Sequence, residues 1–151
     1  MPAISLRPAT VEDAPAVAEC VNAAYRHYLE RMEIPPGPMT EDYDEVIREW
    51  GVTVAEDGGN IVGMLVLSIT EKGFLLETVA VIPAMQGKGV GKTLLEFAES
   101  EALRQGFDSI YLYTHEKMTE NQVLYAKVGY VEFDRQTVDG RPRVYMRKLL
   151  R

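Results

Sequence analysis

The stretch Gln86-Gly87-Lys88-Gly89-Val90-Gly91 decides the fold of this chain, because its glycines stand at the junction of two different patterns. An apolar run over residues 74–82 predicts a strand before it, and amphipathic spacing over residues 94–102 predicts a helix after it. Glycines leave the backbone open to close approach, and free N–H groups at a helix start favour a phosphate. Lys88 and Lys92 add positive charge. The junction therefore predicts a phosphate or pyrophosphate site, with a purely structural tight turn as the alternative.

Two other phosphate-binding loops do not fit this spacing. A P-loop requires G-x-x-x-x-G-K-[ST]; Gly91-Lys92-Thr93 would supply its end, but its first glycine would fall on Gln86. No strand ending in aspartate follows to hold magnesium. A dinucleotide fingerprint requires G-x-G-x-x-G, whereas Gly87, Gly89 and Gly91 give G-x-G-x-G. A nucleotide hydrolase and a dinucleotide-binding domain are therefore disfavoured.

Outward from this junction, the pattern predicts short strands and amphipathic helices. Asp-Gly pairs at 57–58 and 139–140 predict hairpin turns. Consecutive strands that meet as hairpins indicate an α+β fold rather than the βαβ alternation of a parallel sheet. We predict strands over residues 4–7, 52–55, 61–69, 74–82, 110–114, 130–138 and 143–149, and helices from Thr10 to Tyr28, over 41–50, from the glycine loop to Gly106, and over 119–128.

The composition fits one globular domain over residues 1–151, with 46% hydrophobic and 26% charged residues. No apolar run approaches the roughly 20 residues of a membrane helix, so we expect no membrane partner. Residues 1–10 lack a basic patch followed by an apolar stretch, so we expect no signal peptide. Cys20 is the single cysteine, and His27 and His115 are too few for a zinc centre. We expect a cytoplasmic protein with no intrachain disulfide and no bound metal.

The net charge of −7 argues against a nucleic-acid partner, because nucleic-acid-binding proteins usually present a basic face. The acidic residues are concentrated in one segment. Such a cluster could attract a cationic acceptor, although a solvated helix face is the plainer interpretation. The cluster consists of Glu41, Asp42, Asp44, Glu45, Glu49, Glu56 and Asp57.

Residues 86–91 also match the [QR]-x-x-G-x-[GA] loop of the GNAT superfamily of N-acetyltransferases. The segment Val-Ala-Val-Ile-Pro at 79–83, the pair Leu94-Leu95, the opening over 4–9 and Tyr-Ala-Lys-Val-Gly-Tyr at 125–130 stand where that family has them. The chain therefore resembles this family over nearly its whole length. The resemblance implies a mixed, mostly antiparallel sheet of about seven strands flanked by about four helices.

The resemblance implies acetyl-CoA as the acyl donor and assigns it two binding elements. The backbone of Val79, Ala80 and Val81 would pair with the pantetheine arm, as an added strand would. Many members carry an asparagine where this chain has Met118, and Asn121 is the candidate to replace it. The pyrophosphate would be bound by the loop and the helix start, at Gln86, Gly87, Lys88, Gly89, Val90, Gly91, Lys92 and Thr93.

The same resemblance implies two catalytic residues. Tyr125 matches the family tyrosine that protonates the coenzyme A sulfur, with a core aromatic residue as the alternative. Glu77 is the candidate base for the amine, acting through ordered water, with a carboxylate that only shapes the cleft as the alternative. On a regular strand Glu77 shares a face with Leu75, Val79 and Val81, where burial raises a carboxyl pKa.

The acceptor is expected to be a primary amine of unknown identity. Tyr25, Tyr28 and His115 are candidate substrate contacts, and His115 is an alternative base. The proline-rich loop 34–38 and the hairpin 139–141 are candidate walls. The sequence thus predicts an acetyl-CoA-dependent N-acetyltransferase, with a non-catalytic acyl-CoA-binding sensor as the alternative. A homodimer through the central strands and the final hairpin is a further expectation.

Overall fold

The computed structural model describes residues 4–151, which form seven strands and four α-helices. The strands are β1 (Ile4–Pro8), β2 (Gly51–Asp57), β3 (Asn60–Thr70), β4 (Gly73–Val81), β5 (Ser109–His115), β6 (Val131–Val138) and β7 (Arg141–Leu149), and the helices are α1 (Ala14–Tyr25), α2 (Tyr43–Glu49), α3 (Val90–Arg104) and α4 (Thr119–Lys127). The predicted α+β class and the predicted numbers of strands and helices are confirmed. The predicted domain also includes residues 1–3, which lie outside the described part.

All seven strands belong to one sheet, in the order β1-β2-β3-β4-β5-β7-β6. Neighbouring strands are antiparallel, except for the parallel pair β4 and β5. The sheet is thus mixed and mostly antiparallel, as the resemblance implied.

The first two helices are shorter than the apolar periodicity predicts. A 3₁₀ turn (Val11–Asp13) precedes α1 and another (Arg26–Arg31) follows it, so the α-helix ends at Tyr25 rather than at Tyr28. Apolar spacing near three residues fits either kind of helix, which explains the error. Helix α2 begins after Asp42, whose carboxylate accepts hydrogen bonds from N–H groups of the first turn.

Helices pack on both faces of the sheet, and neighbouring residues of β3 show this. Leu65 belongs to a core with α3 and α4, whereas Met64 belongs to a core with α1 and α2. Both side chains are fully buried. A central strand buried on both faces has a nearly continuous apolar sequence, as residues 61–67 do.

The sheet opens between β4 and β5. Their parallel ladder contains only the pairs Leu75–Tyr111 and Leu76–Leu112, although both strands continue beyond it. On the other side of β4, Leu76 and Thr78 have partners in β3 but Glu77 between them has none, so Glu77 is the extra residue of a β-bulge. The strands therefore part at the residue that the sequence analysis selected as a base.

The bulge corrects the predicted face of β4. A regular strand would place Leu75 on the same face as Val79 and Val81. Instead, Leu75 packs with Tyr111 on one face, whereas Val79 and Val81 pack against the core that contains α3. One extra residue reverses which face of the sheet each later side chain of the strand points to. No visible feature of the sequence indicated this bulge.

Candidate functional site

A cavity of about 280 Å³ lies where β4 and β5 part. Six parts of the chain supply its wall, and both predicted walls, the proline-rich loop and the final hairpin, are among them. The lining residues are Tyr25 of α1, Pro36, Gly37, Pro38, Thr40, Glu41, Tyr43, Val46 and Trp50 in and around α2, Val66 with residues 76–79 in the central strands, residues 112–115 of β5, Met118, Asn121 and Tyr125 at α4, and Asp139, Arg141 and Arg143 at the hairpin.

The tip of the β6–β7 hairpin packs on the proline-rich loop and closes one side of this cavity. Asp139 and Gly140 have φ angles of 52° and 77°, which fits the predicted two-residue turn. The Arg141 Nε donates a hydrogen bond to the Pro35 carbonyl at 3.1 Å. A Cβ at Gly140 would lie 3.0 Å from Ile34, so glycine permits the close approach.

Glu77 lines the cavity from the bulge of β4. Burial raises the pKa of its carboxyl, the negative charge of Glu41 raises it further, and the positive charge of Arg143 opposes both. A higher pKa makes the carboxylate a stronger proton acceptor. The carboxylate therefore has the location and the electrostatic environment of a base.

Tyr125 lines the same cavity from α4 and is only 6% exposed. Burial raises the pKa of its hydroxyl, and no hydrogen bond from residues 4–151 contributes to that pKa. The ring packs edge-on against Tyr130 at 5.8 Å. The phenol is thus held by packing and stays protonated at neutral pH, so it can donate its proton into the cavity.

The two tyrosines predicted to contact the substrate, Tyr25 and Tyr28, differ in their position relative to the cavity. Tyr25 lines the cavity, and its hydroxyl donates to the Val79 carbonyl at 3.2 Å. Tyr28 lies outside the lining, and its hydroxyl donates to Oδ1 of Asn121 at 3.4 Å. Asn121 is in the lining, and its Nδ2 contacts the Met118 sulfur at 3.6 Å. Tyr28 therefore orients Asn121 from behind the wall.

His115 lies in the cavity wall with one ring nitrogen already engaged. Its Nδ1 accepts the backbone N–H of Lys117 at 3.0 Å. Burial lowers the pKa of the imidazole, and the charge of Lys117 lowers it further. In the neutral ring the proton is then on Nε2, which makes that atom a donor. This arrangement favours Glu77 over His115 as the base.

Sequence reasoning did not single out Arg143, Tyr113 or Tyr43 in this site. The Arg143 guanidinium lies 3.9 Å from the centre of the Tyr113 ring, and burial raises the pKa of Tyr113 to about 12. The Tyr43 hydroxyl donates to the Pro38 carbonyl at 2.6 Å and fixes the proline-rich loop. The Asp-Gly turn predicted that the final hairpin forms one wall of the cavity. No local pattern indicated which residues of the neighbouring strands would face that wall.

Part of the predicted acidic cluster has a structural role. Asp44 pairs with Arg48 at 2.7 Å, and Glu56 pairs with Arg7 at 2.9 Å. Among the seven acidic residues, Glu41 alone lines the cavity. Of the two interpretations of the cluster, a cation-attracting surface therefore has one residue, Glu41, placed in the cavity wall.

The glycine loop opens α3 as predicted. Gly87 and Gly89 have φ angles of 77° and 90°, and Gly89 is the N-cap of the helix. Other residues rarely adopt these angles, which explains the glycines. Thr93 closes the first turn, because its N–H and its hydroxyl both donate to the Gly89 carbonyl.

The loop amides divide into two groups. The N–H groups of Gln86 and Lys88 donate to carbonyls of the preceding 3₁₀ turn, at 3.2 and 3.3 Å. The first residues of α3 have no intrahelical acceptor for their N–H groups. Between Gln86 and Thr93, five N–H groups have no backbone acceptor among the described residues: those of Gly87, Gly89, Val90, Gly91 and Lys92. These five offer a cradle of donors, while the Val90 side chain is buried in the core.

The backbone of β4 beyond the bulge has an edge that β5 does not pair. The Val79 carbonyl accepts from Tyr25, and the Val81 carbonyl accepts from Nε2 of Gln86 at 3.1 Å. Backbone N–H and C=O groups alternate between the two edges of a strand, and those of Ala80 point toward β3. Of the three residues expected to pair with a pantetheine arm, Val79 and Val81 therefore have the suitable orientation.

Gly63 of β3 brings the start of α3 close to the sheet, and the sequence analysis did not single it out. A Cβ there would lie 3.0 Å from Val90, 3.1 Å from Leu94 and 3.2 Å from the Ala80 carbonyl oxygen. The glycine loop is thus positioned by a glycine more than twenty residues earlier in the chain.

Within 4–151, no group of three or more histidine, cysteine, aspartate or glutamate side chains is placed to hold a metal ion. None of the helices found there combines the length and the apolar character of a membrane span.

The sheet thus opens near a glycine-rich helix start, and a buried tyrosine and a carboxylate line the cavity at the opening. The chain belongs to the acetyltransferase (GNAT) family, which it matches over residues 21–130. The predicted family and fold are therefore confirmed. Acetyl-CoA, the acyl donor that this family uses, is confirmed at the level of the family.

Three known proteins illustrate the similarity. An aminoalkylphosphonate N-acetyltransferase from Salmonella typhimurium is 26% identical, and the match covers 86% of each chain. A mycothiol acetyltransferase from Jonesia denitrificans is 33% identical over 56% of this chain, but the match spans only 27% of that protein's length. The PaiA N-acetyltransferase from Thermoplasma acidophilum, solved with coenzyme A, has a TM-score of 0.74 at 20% identity, over 97% of this chain and 99% of that chain.

Proposed function

We propose that this protein transfers the acetyl group of acetyl-CoA to a primary amine of a small molecule, amino acid or peptide, by direct attack in a ternary complex. The observation that carries the proposal is the placement of Glu77 and Tyr125 in one cavity, at the point where β4 and β5 part. A proton acceptor and a proton donor that face one space are what acetyl transfer to an amine requires.

The residues present fit acetyl-CoA. Free N–H groups at the start of α3, together with Lys88 and Lys92, suit its pyrophosphate. The edge of β4 that β5 leaves unpaired, at Val79 and Val81, suits the amide groups of its pantetheine arm, although the two carbonyls there also accept from the side chains of Tyr25 and Gln86. A route that follows this edge from the glycine loop leads to Glu77.

Each catalytic residue moves one proton in this mechanism. Acetyl-CoA supplies the acetyl group and a thiol leaving group. The Glu77 carboxylate accepts a proton from the ammonium of the acceptor, directly or through water, so that the amine can attack. The Tyr125 hydroxyl donates its proton toward the sulfur as the bond to carbon breaks. The attacking nitrogen loses its second proton as the amide forms, and that proton restores the Tyr125 hydroxyl. Glu77 releases its proton to solvent, so the products are the amide, the free thiol and one proton.

Thermal unfolding with acetyl-CoA, coenzyme A, ATP with magnesium, and NAD is the first test, because a ligand that binds the native state raises the midpoint. We expect a rise with acetyl-CoA and coenzyme A only. Release of free thiol from acetyl-CoA is then measured against a panel of amines. A rise with acetyl-CoA but no amine-dependent thiol release would instead support an acyl-CoA sensor. No rise with either thioester or thiol would contradict the proposal altogether.

A further inference from the structure

The cavity contains cations as well as carboxylates, and these cations are not in ion pairs. Arg141 and Arg143 both line it. Within residues 4–151, neither guanidinium has a carboxylate oxygen within 4.0 Å. The arginines of the described residues that form ion pairs are Arg7, Arg31, Arg48, Arg104 and Arg135, and none of them lines the cavity.

Neutral groups hold both guanidiniums in place. Arg143 stacks on Tyr113 at 3.9 Å, and its Nη1 donates to the Tyr145 hydroxyl at 3.4 Å. Arg141 donates through Nε to the Pro35 carbonyl. A guanidinium has five N–H donors, so these contacts orient the group and leave donors for a ligand. A planar guanidinium that is held in this way is well suited to bind a carboxylate or phosphonate.

Two of the three carboxylates in the cavity lining come from elements other than the one that carries the arginines, and the third, Asp139, is in the hairpin turn before Arg141. Glu77 projects from the bulge of β4, and Glu41 precedes α2, whereas both arginines are on β7. A second ammonium on the acceptor would meet the guanidiniums and be repelled, and a simple anion would meet the carboxylates. A ligand with one charge of each sign satisfies both groups.

We propose that the acceptor is a zwitterion: a small amine that also carries a carboxylate, a phosphonate or a comparable anion. Arg143, with Arg141, binds the anion, and the amine faces Glu77. This inference rests on the proposed acetyl transfer and narrows its substrate class. It also differs from the cationic acceptor that the acidic cluster of the sequence suggested.

The test compares matched acceptors by kcat/KM, measured from thiol release at saturating acetyl-CoA. Amino acids and short aminoalkylphosphonates are each paired with the amine that lacks the anion, and diamines of the same length are included. We expect the anion-bearing member of at least one pair to be preferred by about tenfold to hundredfold, the range for a hydrogen bond between charged groups. The preference should appear mainly in KM.

Arg143→Gln should remove that preference, and Arg143→Lys should retain part of it. Arg147→Gln is the matched control, because Arg147 is on the same strand and also stacks on an aromatic ring, Phe133 at 4.5 Å, but lies outside the cavity lining. The control should leave the preference unchanged. For the amine without an anion, Arg143→Gln should lower kcat/KM less than it does for the anion-bearing member of the pair, so the ratio of the two values reports the lost contact.

The failures are distinguishable. If diamines or simple amines are acetylated as well as the zwitterions, or if Arg143→Gln lowers kcat/KM equally for both members of a pair, the inference is wrong and the acetyltransferase function stands. If acetyl-CoA raises the unfolding midpoint but no amine is acetylated, the proposed function fails and the inference fails with it.

Discussion

The coenzyme loop (residues 86–93) and the acceptor cavity adjoin each other along β4, but different parts of the chain define them. The loop is contiguous in sequence, and its usable groups are backbone N–H groups exposed by glycine conformations. The cavity is formed by side chains from α1, α2, β4, β5, α4 and the final hairpin. The loop is thus defined by the conformation of its own backbone, whereas the cavity is defined by side chains that the fold brings together from distant parts of the chain.

This difference predicts opposite sensitivities to mutation. In the cavity, removal of a single functional atom should change the chemistry, whereas the loop should tolerate changes of exposed side chains. In the loop, addition of one Cβ should matter, because it alters the backbone that carries the donors. The following experiments test this contrast.

Tyr125→Phe should have the largest effect. It removes only the hydroxyl proposed to donate a proton to the sulfur, and such a donor contributes about 10²–10⁴ in rate. We expect kcat to fall by that factor while the unfolding midpoint with coenzyme A is unchanged. Steady-state thiol release and thermal unfolding measure the two quantities.

Tyr130→Phe is the matched control, because Tyr130 contacts Tyr125 edge-on and its buried hydroxyl has no hydrogen-bond partner in residues 4–151. Removing an unsatisfied buried hydroxyl should leave kcat unchanged and should not lower stability. If both variants lost activity equally, packing rather than proton donation would explain the role of Tyr125.

Glu77→Gln should have the next largest effect, about a hundredfold in kcat/KM at neutral pH. The parent profile should rise with pH through the raised pKa of Glu77, as the carboxyl loses its proton and becomes a base. The variant should lack that rise. Glu49→Gln, an exposed carboxylate outside the cavity, is the control and should keep the parent profile.

The same substitution should raise stability. Because the pKa of Glu77 is higher in the folded state, the folded protein binds more protons between the unfolded and folded pKa values, and stability falls as pH rises through that window. Glu77→Gln removes this penalty, so its unfolding midpoint should exceed that of the parent at neutral pH and match it at low pH. A lower midpoint at neutral pH would mean that the carboxylate is better satisfied than its burial indicates.

The fold was largely predictable because its signals are local. Glycine, the Asp-Gly turns and alternating apolar residues each act within a few positions, and together they placed every strand and α-helix. The bulge at Glu77 was not predictable, because an extra residue in a strand leaves the composition unchanged and is revealed only by the partner strand. The 3₁₀ turn over Arg26–Arg31 was missed since its apolar spacing resembles that of an α-helix.

The candidate site was predictable only in part. Tyr125, Glu77 and the loop lie in segments with a recognisable pattern, and the structure places Tyr125 and Glu77 in the lining of one cavity. Arg143 and Tyr113 meet only because β5 and β7 are neighbours in the sheet, at a register that no single strand specifies. Their contribution therefore required the structure.

Gly89→Ala should have a moderate effect on cofactor binding. A Cβ at φ 90° costs about 1–2 kcal/mol and shifts the N-cap of α3, so we expect about tenfold weaker binding of coenzyme A, measured by calorimetry. Gly58→Ala, at φ 59° in the first hairpin turn, pays a similar conformational cost without touching the site. Lys88→Ala should weaken binding less than Gly89→Ala does. The reverse order would show that side-chain charge, and not backbone geometry, defines the loop.

Gly63→Ala should have the smallest effect on the cofactor, a severalfold loss of affinity, because it acts on the loop only through packing. The added Cβ meets Val90, Leu94 and a carbonyl oxygen at 3.0–3.2 Å, and such overpacking costs about 1–3 kcal/mol of stability. Gly51→Ala is the control, since its Cβ would lie 3.6 Å from the nearest atom, an ordinary contact. If Gly63→Ala lowered stability but left coenzyme A affinity unchanged, the start of α3 would tolerate displacement. Binding at the loop would then not depend on the exact position of its backbone, and the proposed contrast with the cavity would be wrong.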